Sequence, residues 1–304
     1  MEPDSPELSA WHEGELAVQR RVGVGEVSAR GIRSYIPEAL LDFLNEPRLI
    51  VFASVDSEQR TWASLRVAEP GFLRVLDPLT LASEPANVDG DSLLKNLQDN
   101  PNVGMLIVDL ATRRRVRING EAEVLPDDGM RIHARQVYGN CPQYIQLRVK
   151  HPEPSSAKMP SLLSRAASLS AAQQEWIGRA DTLFIASAHP DRGADASHRG
   201  GNPGFIKVDG SGGLIIPDYS GNNMFNTLGN ISVNPHAGLL LPDFEQGRTL
   251  QLAGKATISW DADRSQFPGA QRLLMFDIQQ TVEIEYPALA NYALREYSPF
   301  NPRF

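Results

Sequence analysis

The chain has 304 residues with 29 basic and 37 acidic side chains, which gives a formal net charge of −8 at pH 7. Its hydrophobic fraction of 41 % and charged fraction of 22 % are those of a globular protein and exclude a disordered chain. The acidic balance argues against a general role on nucleic acid or anionic lipid. We therefore expect no nucleic-acid partner and no membrane partner.

A single cysteine, Cys141, excludes an internal disulfide and a zinc site built on several thiolates. The acidic N-terminus lacks the basic flank and apolar stretch of a secretory signal. We therefore predict a cytoplasmic protein. The six histidines show no metal-ligand spacing, so no metal site is predicted.

The predicted elements begin after an N-terminal extension, residues 1–32. A helix after Pro37 places Leu40, Leu41 and Leu44 on one face. β-branched and alternating residues then predict strands in LIVFASV, GFLRVL, VGMLIVDL and RRVRINGEAEV, with a short helix in DSLLKNLQDN. Strands dominate, so a barrel or sandwich with a few helices is expected.

A proline- and serine-rich segment, 151–161, is typical of a surface linker. After it the same order of helices and strands recurs, with a helix capped by Ser170 and a second helix in NNMFNTLGNISV. Strands are predicted in TLFIASA, GFIKV, GGLIIP, AGLLLPDF and RTLQLAGKATI. The aromatic tail, 287–304, is expected to pack over a barrel rather than to cover a ligand.

The order of predicted elements recurs because the sequence itself is repeated. Residues 63–75 (ASLRVAEPGFLRV) align with residues 196–208 (ASHRGGNPGFIKV), and residues 96–120 align with residues 230–254 at nearly the same spacing. VFAS and FIAS form a third matching pair upstream. Three ordered blocks indicate a duplicated domain, and two copies predict a pseudo-dimer rather than a solenoid.

The order of GFIKV, GGLIIPDYSGNNMFNTLGNISVNPHAGLLLPDF and RTLQLAGKA resembles the split-barrel flavoproteins related to pyridoxamine 5′-phosphate oxidase. The first copy, which ends in QVYGNCPQYIQ, is similar to the amino-terminal half of two-domain members. The resemblance implies a mainly β fold with helices (α+β), with tandem FMN-binding split β-barrels forming a pseudo-dimer. The first copy is placed at 33–150 and the second, flavin-binding copy at 162–286. FMN is then expected between two barrels, in a monomeric pseudo-dimer or in a homodimer.

Residues for the cofactor are expected first at the end of a strand in the second copy. A hydroxyl, an imidazole and a guanidinium beside a glycine suit an anionic or heteroaromatic ligand, although a polar surface loop would look the same. These candidates are Ser197, His198, Arg199 and Gly200.

The second group of candidates is a turn before a helix that is predicted to begin at Asn222 or Asn223. Free amides at a helix N-terminus bind phosphate, although an ordinary capped helix would explain the asparagines equally well. The family has a serine and two basic residues here, so Arg199, with Arg66 or Arg114, must supply the charge. The candidates are Pro217, Asp218, Tyr219, Ser220, Asn222 and Asn223.

The third group is Arg248 and Thr249, because family members place flavin contacts near the start of this strand. Arg113–Arg115 hold the corresponding place in the first copy, where three arginines could equally protect an edge strand from aggregation. In place of the phosphate turn the first copy has acidic residues, Glu84, Asp89 and Asp91, which oppose an anion.

We therefore predict one functional site, built on the second copy, with a wall from the first. Tyr138, Asn140 and Cys141 are the candidates for that wall; a tight turn with a buried cysteine is the alternative.

The leading hypothesis is an FMN-dependent oxidoreductase that uses NAD(P)H or a partner reductase and acts on a small molecule. No catalytic residue is assigned, since the flavin would carry the chemistry. The alternatives are a flavin, deazaflavin or haem binding or storage module without turnover, and a pseudo-enzyme with an empty pocket.

Overall fold

A computed structural model describes residues 11–25, 27–46, 48–85, 87–151 and 158–303. The helices are α1 (Glu13–Arg21), α2 (Leu41–Asn45), α3 (Leu93–Asp99), α4 (Ala171–Arg179) and α5 (Asn226–Val233), with 3₁₀ turns at Glu38–Leu40 and Pro287–Asn291. The strands of the first copy are β1 (Arg48–Val55), β2 (Thr61–Ala68), β3 (Leu73–Asp77), β4 (Thr80–Ser83), β5 (Asn102–Asp109), β6 (Arg114–Val124), β7 (Met130–Gly139) and β8 (Leu147–Lys150). The later strands are β9 (Ser161–Ala166), β10 (Thr182–His189), β11 (Gly193–Gly200), β12 (Lys207–Val208), β13 (Leu214–Asp218), β14 (His236–Asp243), β15 (Arg248–Ser259), β16 (Arg272–Glu285) and β17 (Tyr292–Glu296).

The two copies fold into sheets of the same strand order. The first sheet runs β2-β1-β5-β6-β7-β4-β3 and the second runs β11-β10-β14-β15-β16-β13-β12, with β9 added to β16. Each strand of the second order is the repeat counterpart of the strand in the first. The pairs within both sheets are antiparallel. The prediction of tandem barrels from one duplicated sequence is therefore confirmed.

Repeated residues make the same contacts in both copies. Asn96 of α3 donates a hydrogen bond to Ser54 of β1 at 3.0 Å, and Asn230 of α5 donates one to Ser187 of β10 at 3.0 Å. These four side chains are buried. A helix is thus tied to the central sheet by one buried polar pair in each copy, which explains why the serine and the asparagine recur in the sequence.

The hydrophobic core has three parts. One fills the first barrel and one fills the second. The third lies between the barrels and combines residues of both copies, among them Val51, Leu65, Phe184 and Leu240. Because this shared core joins the two sheets, the copies form one packed unit.

Backbones of the two copies approach closely at two equivalent glycines. A Cβ on Gly104 of β5 would lie 2.6 Å from the Cα of Asp195, and a Cβ on Gly238 of β14 would lie 2.8 Å from the Cα of Trp62. A side chain of any size would force the sheets apart at these points.

A buried ion pair closes the same boundary on one side. Arg66 of β2 contacts Asp91 at 3.2 Å, and Gln251 of β15 donates to the same carboxylate at 2.6 Å. Strand β9 lies next to this group, since Leu162 contacts Gly90 and donates its amide to Asp89. We call Arg66, Asp91 and Gln251 the closed cluster.

Some sequence predictions need correction. The helix after Pro37 is a 3₁₀ turn followed by the short α2, and of its three leucines Leu44 is buried while Leu40 and Leu41 are half-buried. In the tail, β17 pairs with β8 in a separate two-stranded sheet, and packing of the tail over a barrel stays a prediction. Residues 1–10 of the extension and 152–157 of the linker lie outside the described residues. Within the part that is described, no helix is long and apolar enough to cross a membrane.

The domain boundaries at 33–150 and 162–286 stay predictions. Strands β9 to β17 follow the linker, and β9 joins the second sheet through β16.

We expect Gly104→Ala to lower the free energy of unfolding by about 1–3 kcal/mol, because the new methyl group overpacks the boundary between the copies. Urea denaturation followed by tryptophan fluorescence measures the change. Gly178→Ala is the matched control, since nothing lies within 4 Å of a Cβ at this exposed helical position. Equal stability of Gly104→Ala and the native protein would contradict the proposed close packing.

We expect Asp91→Ala to lower the free energy of unfolding by about 3 kcal/mol, because it removes the carboxylate from a buried cluster that contains a guanidinium. Asp99→Ala is the control, since its pair with Lys95 is exposed and is worth about 0.5 kcal/mol or less. The same urea titration measures both variants. A loss at Asp91 no larger than that at Asp99 would show that the cluster adds no stability.

Candidate functional site

An open cleft lies where the first copy meets the loop and helix of the second. The first copy contributes β6 and the segment after β7, and the second contributes β11, the loop after β13 and the start of α5. The empty space, including its solvent-facing mouth, is about 730 Å³.

Arginines from both copies give this cleft its charge. Arg117 of β6 donates to the Asp195 carboxylate at 3.0 Å and to the Ser197 hydroxyl at 2.5 Å. Arg199 of β11 pairs with Asp218, which also accepts from Arg272 at 3.1 Å. Two arginines therefore share one carboxylate, and the positive charge is only partly balanced.

Arg115 adds a cation that is paired only with neutral groups. Its guanidinium donates to His198 Nδ1 at 3.1 Å and lies 3.9 Å from Cys141 Sγ. Among the described residues no carboxylate lies within ion-pairing distance of Arg115. Burial lowers the pKa of Arg115 to about 10, so it keeps its charge at neutral pH. An anionic ligand would supply the missing counter-charge.

His198 is a neutral hydrogen-bond donor in the cleft. Burial, and then Arg115 and its neighbours, lower the pKa of His198 well below its usual value. Since Nδ1 accepts from Arg115, the ring proton is on Nε2. That buried Nε2 has no partner among the residues that the structure describes. It is therefore an unsatisfied buried donor.

The N-terminus of α5 is open to the cleft. The residue before α5, Phe225, has a left-handed backbone with φ of 59°, and in the described chain no side chain caps this helix. Thr227 and Leu228, in the first turn, line the cleft. By contrast, α4 begins with a full capping box from Ser170. The first amides of α5 thus remain available to an anion.

The helix prediction needs one correction here. α5 begins at Asn226, not at Asn222 or Asn223, because Asn223 and Phe225 both have positive φ. Asn222 instead accepts the amide of Met224 at 3.1 Å and so forms a turn. The phosphate-binding turn expected at the asparagines is replaced by a loop that leads to the helix.

Two tyrosines from different copies form an aromatic wall. The rings of Tyr144 and Tyr219 lie 5.3 Å apart between centroids, and the Tyr144 hydroxyl donates to the Ser220 carbonyl at 2.9 Å. Burial raises the pKa of Tyr219 to about 12, so its phenol stays protonated. This wall offers a ring face to a planar ligand.

The N-terminal helix supports the cleft from behind. Glu15 of α1 accepts from the Asn226 side chain at 2.5 Å, and Gln19 donates to the Met224 carbonyl at 3.2 Å. Burial raises the pKa of Glu15 to about 7. The extension outside the duplicated copies therefore fixes the loop that lines the cleft.

One group of side chains resembles a metal site in composition. His12, Glu13 and His189 bring their ligand atoms within 4.8 Å of one another. However, His12 Nδ1 accepts the amide of Gly14 and His189 Nδ1 accepts the amide of Asp191. Both Nε2 atoms then carry the proton, so neither lone pair is free for a metal. The group is a hydrogen-bonded helix cap.

Most of the predicted cofactor residues come together in the cleft. Those that line it are Cys141, Ser197, His198, Arg199, Gly200, Asp218, Tyr219, Ser220, Asn222 and Asn223. Tyr138 lies behind it and donates to Asp195 at 3.1 Å. Asn140 and Pro217 are next to lining residues but do not line the cleft themselves. Their assignment to a cofactor stays a prediction.

Arg248 and Thr249 do not reach the cleft. Arg248 pairs with Glu283, and Thr249 is buried on the side of the closed cluster. The reason is the pseudo-twofold arrangement: β6 of the first copy borders the cleft, whereas its counterpart β15 borders the closed cluster. Arg115 and Arg117 therefore supply the charge that was expected from Arg66 or Arg114. Since β6 is an interior strand, these arginines do not protect an edge.

Sequence reasoning missed Arg117, Tyr144 and Asn226. Tyr144 lies in QVYGNCPQYIQ, the segment from which Tyr138, Asn140 and Cys141 were chosen as candidates. A wider choice within that segment would have included it. Arg115 and Arg117 are two residues apart in β6 and therefore lie on the same face of the strand. The period-two pattern of a strand would have predicted this.

Several solved structures are similar to parts of this chain. HupZ from Group A Streptococcus is 10 % identical, with 36 % of this chain and 90 % of that chain covered and a TM-score of 0.30. An FAD-binding protein from Mesorhizobium loti is 13 % identical, with 40 % of this chain and 98 % of that chain covered and a TM-score of 0.29. General Stress Protein 26 from Bacillus anthracis is 10 % identical, with 41 % of this chain and 97 % of that chain covered and a TM-score of 0.28.

Each of these structures matches less than half of this chain. No curated protein matches the chain. The family model for pyridoxamine 5′-phosphate oxidase matches residues 36–158 and again residues 169–281, which together make up most of the chain. The chain therefore belongs to the pyridoxamine 5′-phosphate oxidase family, as a member with two copies of the family domain.

Proposed function

We propose that the chain is an FMN-binding flavoprotein and an oxidoreductase that uses NAD(P)H or a partner reductase to act on a small molecule. The observation that carries this proposal is the charge of the cleft. In a chain of net charge −8, four arginines gather here around two aspartates. A phosphate of charge about −2 would complete the balance.

The residues of the cleft fit the parts of FMN. Arg115, Arg199 and the first amides of α5 would hold the phosphate. The buried Nε2–H of His198, which has no acceptor among the described residues, would donate to a polar edge of the ring system. Tyr144 and Tyr219 would provide an aromatic face for the ring.

When bound, FMN supplies hydride and single-electron transfer. The chain's own residues bind the cofactor, orient it and keep water from one side. His198 remains neutral and Tyr219 remains protonated, so both act as hydrogen-bond donors rather than as cations or anions. No residue need act as a nucleophile.

We also propose one cofactor per chain. The place equivalent to the cleft holds the closed cluster, where the Asp91 carboxylate already occupies the position of an anion beside Arg66. Since both copies line the cleft, the site is complete in one chain, which favours the monomeric pseudo-dimer as the functional unit. The cytoplasmic location stays a prediction from composition.

We expect the purified protein to take up one FMN per chain and to show the visible bands of an oxidised flavin that NAD(P)H or a supplied reductase bleaches. A colourless protein that takes up no added FMN would contradict the proposal. Uptake without reduction would favour the storage alternative, and a Soret band would identify haem as the ligand.

We expect Arg115→Gln and Arg199→Gln to weaken FMN binding about 10- to 150-fold each, since a charged hydrogen bond contributes about 1.5–3 kcal/mol. Flavin fluorescence quenching measures the dissociation constants. Arg114→Gln is the matched control, because Arg114 is the exposed neighbour on the same strand and stacks on Phe43. Unchanged affinity in the first two variants would remove these arginines from the site.

A further inference from the structure

Tyr144, which forms the aromatic wall with Tyr219, has a strained backbone. Its φ is 64°, in the left-handed region that residues with a bulky side chain rarely adopt. Such a conformation persists only where the surrounding structure enforces it. The strain therefore points to the groups that hold the backbone of Tyr144.

Both polar groups of this backbone are held by buried side chains. The Tyr144 amide donates to Ser298 Oγ at 3.2 Å, and the Tyr144 carbonyl accepts from Gln146 Nε2 at 3.1 Å. Ser298 belongs to the C-terminal tail, whereas Gln146 lies two residues after the tyrosine. Gln146 is fully buried and Ser298 is 4 % exposed, so water competes little for these bonds.

Gln146 connects the tail to the second copy. Its Oε1 accepts from the Ser298 amide at 2.8 Å and from the Asn301 side chain at 3.1 Å. Its Nε2 also lies 3.1 Å from the carbonyl oxygens of Asp181 and Gly201. Donors therefore surround one end of the side-chain amide and acceptors surround the other, which fixes its orientation.

The held backbone lies directly against the cleft. A Cβ on Gly200, which lines the cleft, would lie 2.1 Å from the Tyr144 carbonyl oxygen. From this position the Tyr144 ring lies 5.3 Å from that of Tyr219, and its hydroxyl donates to the Ser220 carbonyl at 2.9 Å. A shift of the Tyr144 backbone would therefore move the aromatic wall relative to β11.

The segment that supplies Ser298 and Asn301 lies outside both matches to the family model, the second of which ends at residue 281. It is also fixed to the second copy, since Asn202 donates to the Pro302 carbonyl at 2.9 Å and accepts from the Asn301 side chain at 3.0 Å. The tail thus adds contacts that the two family domains do not contain.

We propose that Gln146, with Ser298 and Asn301 of the tail, positions Tyr144 for the ligand of the cleft, so that ligand affinity depends on the tail. None of these three residues lines the cleft, so they act through the backbone of Tyr144 rather than by contact with the ligand. The dependence of affinity on the tail rests on the proposed function, because FMN is the ligand.

Hydrogen–deuterium exchange of the ligand-free protein, followed by NMR, tests the hold on Tyr144. We expect Ser298→Ala to speed exchange of the Tyr144 amide about tenfold, because that amide loses its acceptor. Ser211→Ala is the matched control, since the Ser211 hydroxyl bonds within its own exposed turn, to Asp209 at 2.6 Å. Exchange that is equally slow in Ser298→Ala and in the native protein would overturn the proposal.

The dissociation constant of FMN, from flavin fluorescence quenching, tests the effect on the cleft. We expect Gln146→Met and Ser298→Ala each to weaken FMN binding about 3- to 10-fold, the effect of one hydrogen bond. Gln251→Met is the matched control, because this equally buried glutamine donates to Asp91 in the closed cluster. It should lower the midpoint of urea unfolding and leave the affinity for FMN unchanged.

Equal loss of affinity in Gln251→Met and Gln146→Met would reduce the effect to general destabilisation and overturn the proposal. If Gln146→Met does not fold, Ser298→Ala carries the same comparison, since it keeps the Ser298 amide that Gln146 accepts.

A double-mutant cycle separates positioning from a merely structural role. In a Tyr144→Ala background, Ser298→Ala and Gln146→Met should change FMN affinity by less than about twofold, because the ring through which they act is gone. Losses that add in full to that of Tyr144→Ala would contradict action through Tyr144.

Failure of this proposal and failure of the proposed function give different results. Native protein that takes up no FMN, with fast exchange in Ser298→Ala, would overturn the proposed function and the dependence of affinity on the tail, and would leave the hold on Tyr144 standing. FMN uptake that is the same in the native protein, Ser298→Ala and Gln146→Met would overturn the positioning and leave the proposed function standing.

Discussion

The buried ion pair between Arg117 and Asp195 joins the two copies at the base of the cleft. Both side chains are more than nine-tenths buried, and they come from β6 of the first copy and β11 of the second. Arg117 also donates to Ser197, while Asp195 accepts from Tyr138. Separating such a pair would leave two unpaired charges in the interior, so both sheets must keep their register for the pair to form. The position of the side chains that line the cleft depends on this contact.

The two copies share one backbone arrangement, but the side chains at equivalent positions of their boundary differ. At positions equivalent in the repeat, Arg115 and Arg117 face the cleft, whereas Thr249 and Gln251 face the closed cluster. A carboxylate, Asp91, satisfies Arg66 internally on the closed side. On the open side Arg115 has neutral partners only among the described residues, and this difference in charge leaves room for an external anion. This difference in charge supports the cofactor proposal.

The N-terminal helix adds a constraint that the duplicated domains do not contain. α1 packs against α5, where a Cβ on Gly14 would lie 2.3 Å from the Gly229 carbonyl oxygen. Through Glu15 it holds Asn226, and through Gln19 it holds the loop before the helix. These contacts keep Phe225, the residue before the uncapped start of α5, in a left-handed backbone conformation that it would not adopt by propensity alone.

By itself the sequence determined the family, the duplication and about half of the strands, because alternation and repeated blocks can be recognised along the chain. It also determined that Ser197, His198 and Arg199 share a strand and that acidic residues occupy the equivalent turn. Only the tertiary structure decided that Arg115 and Arg117, rather than Arg248 and Thr249, meet that strand. The copies pack about a pseudo-twofold axis, so the partner of each strand end comes from the other copy. Spacing along the chain carries no information on that pairing, since it is set by which faces of the two sheets are buried against each other.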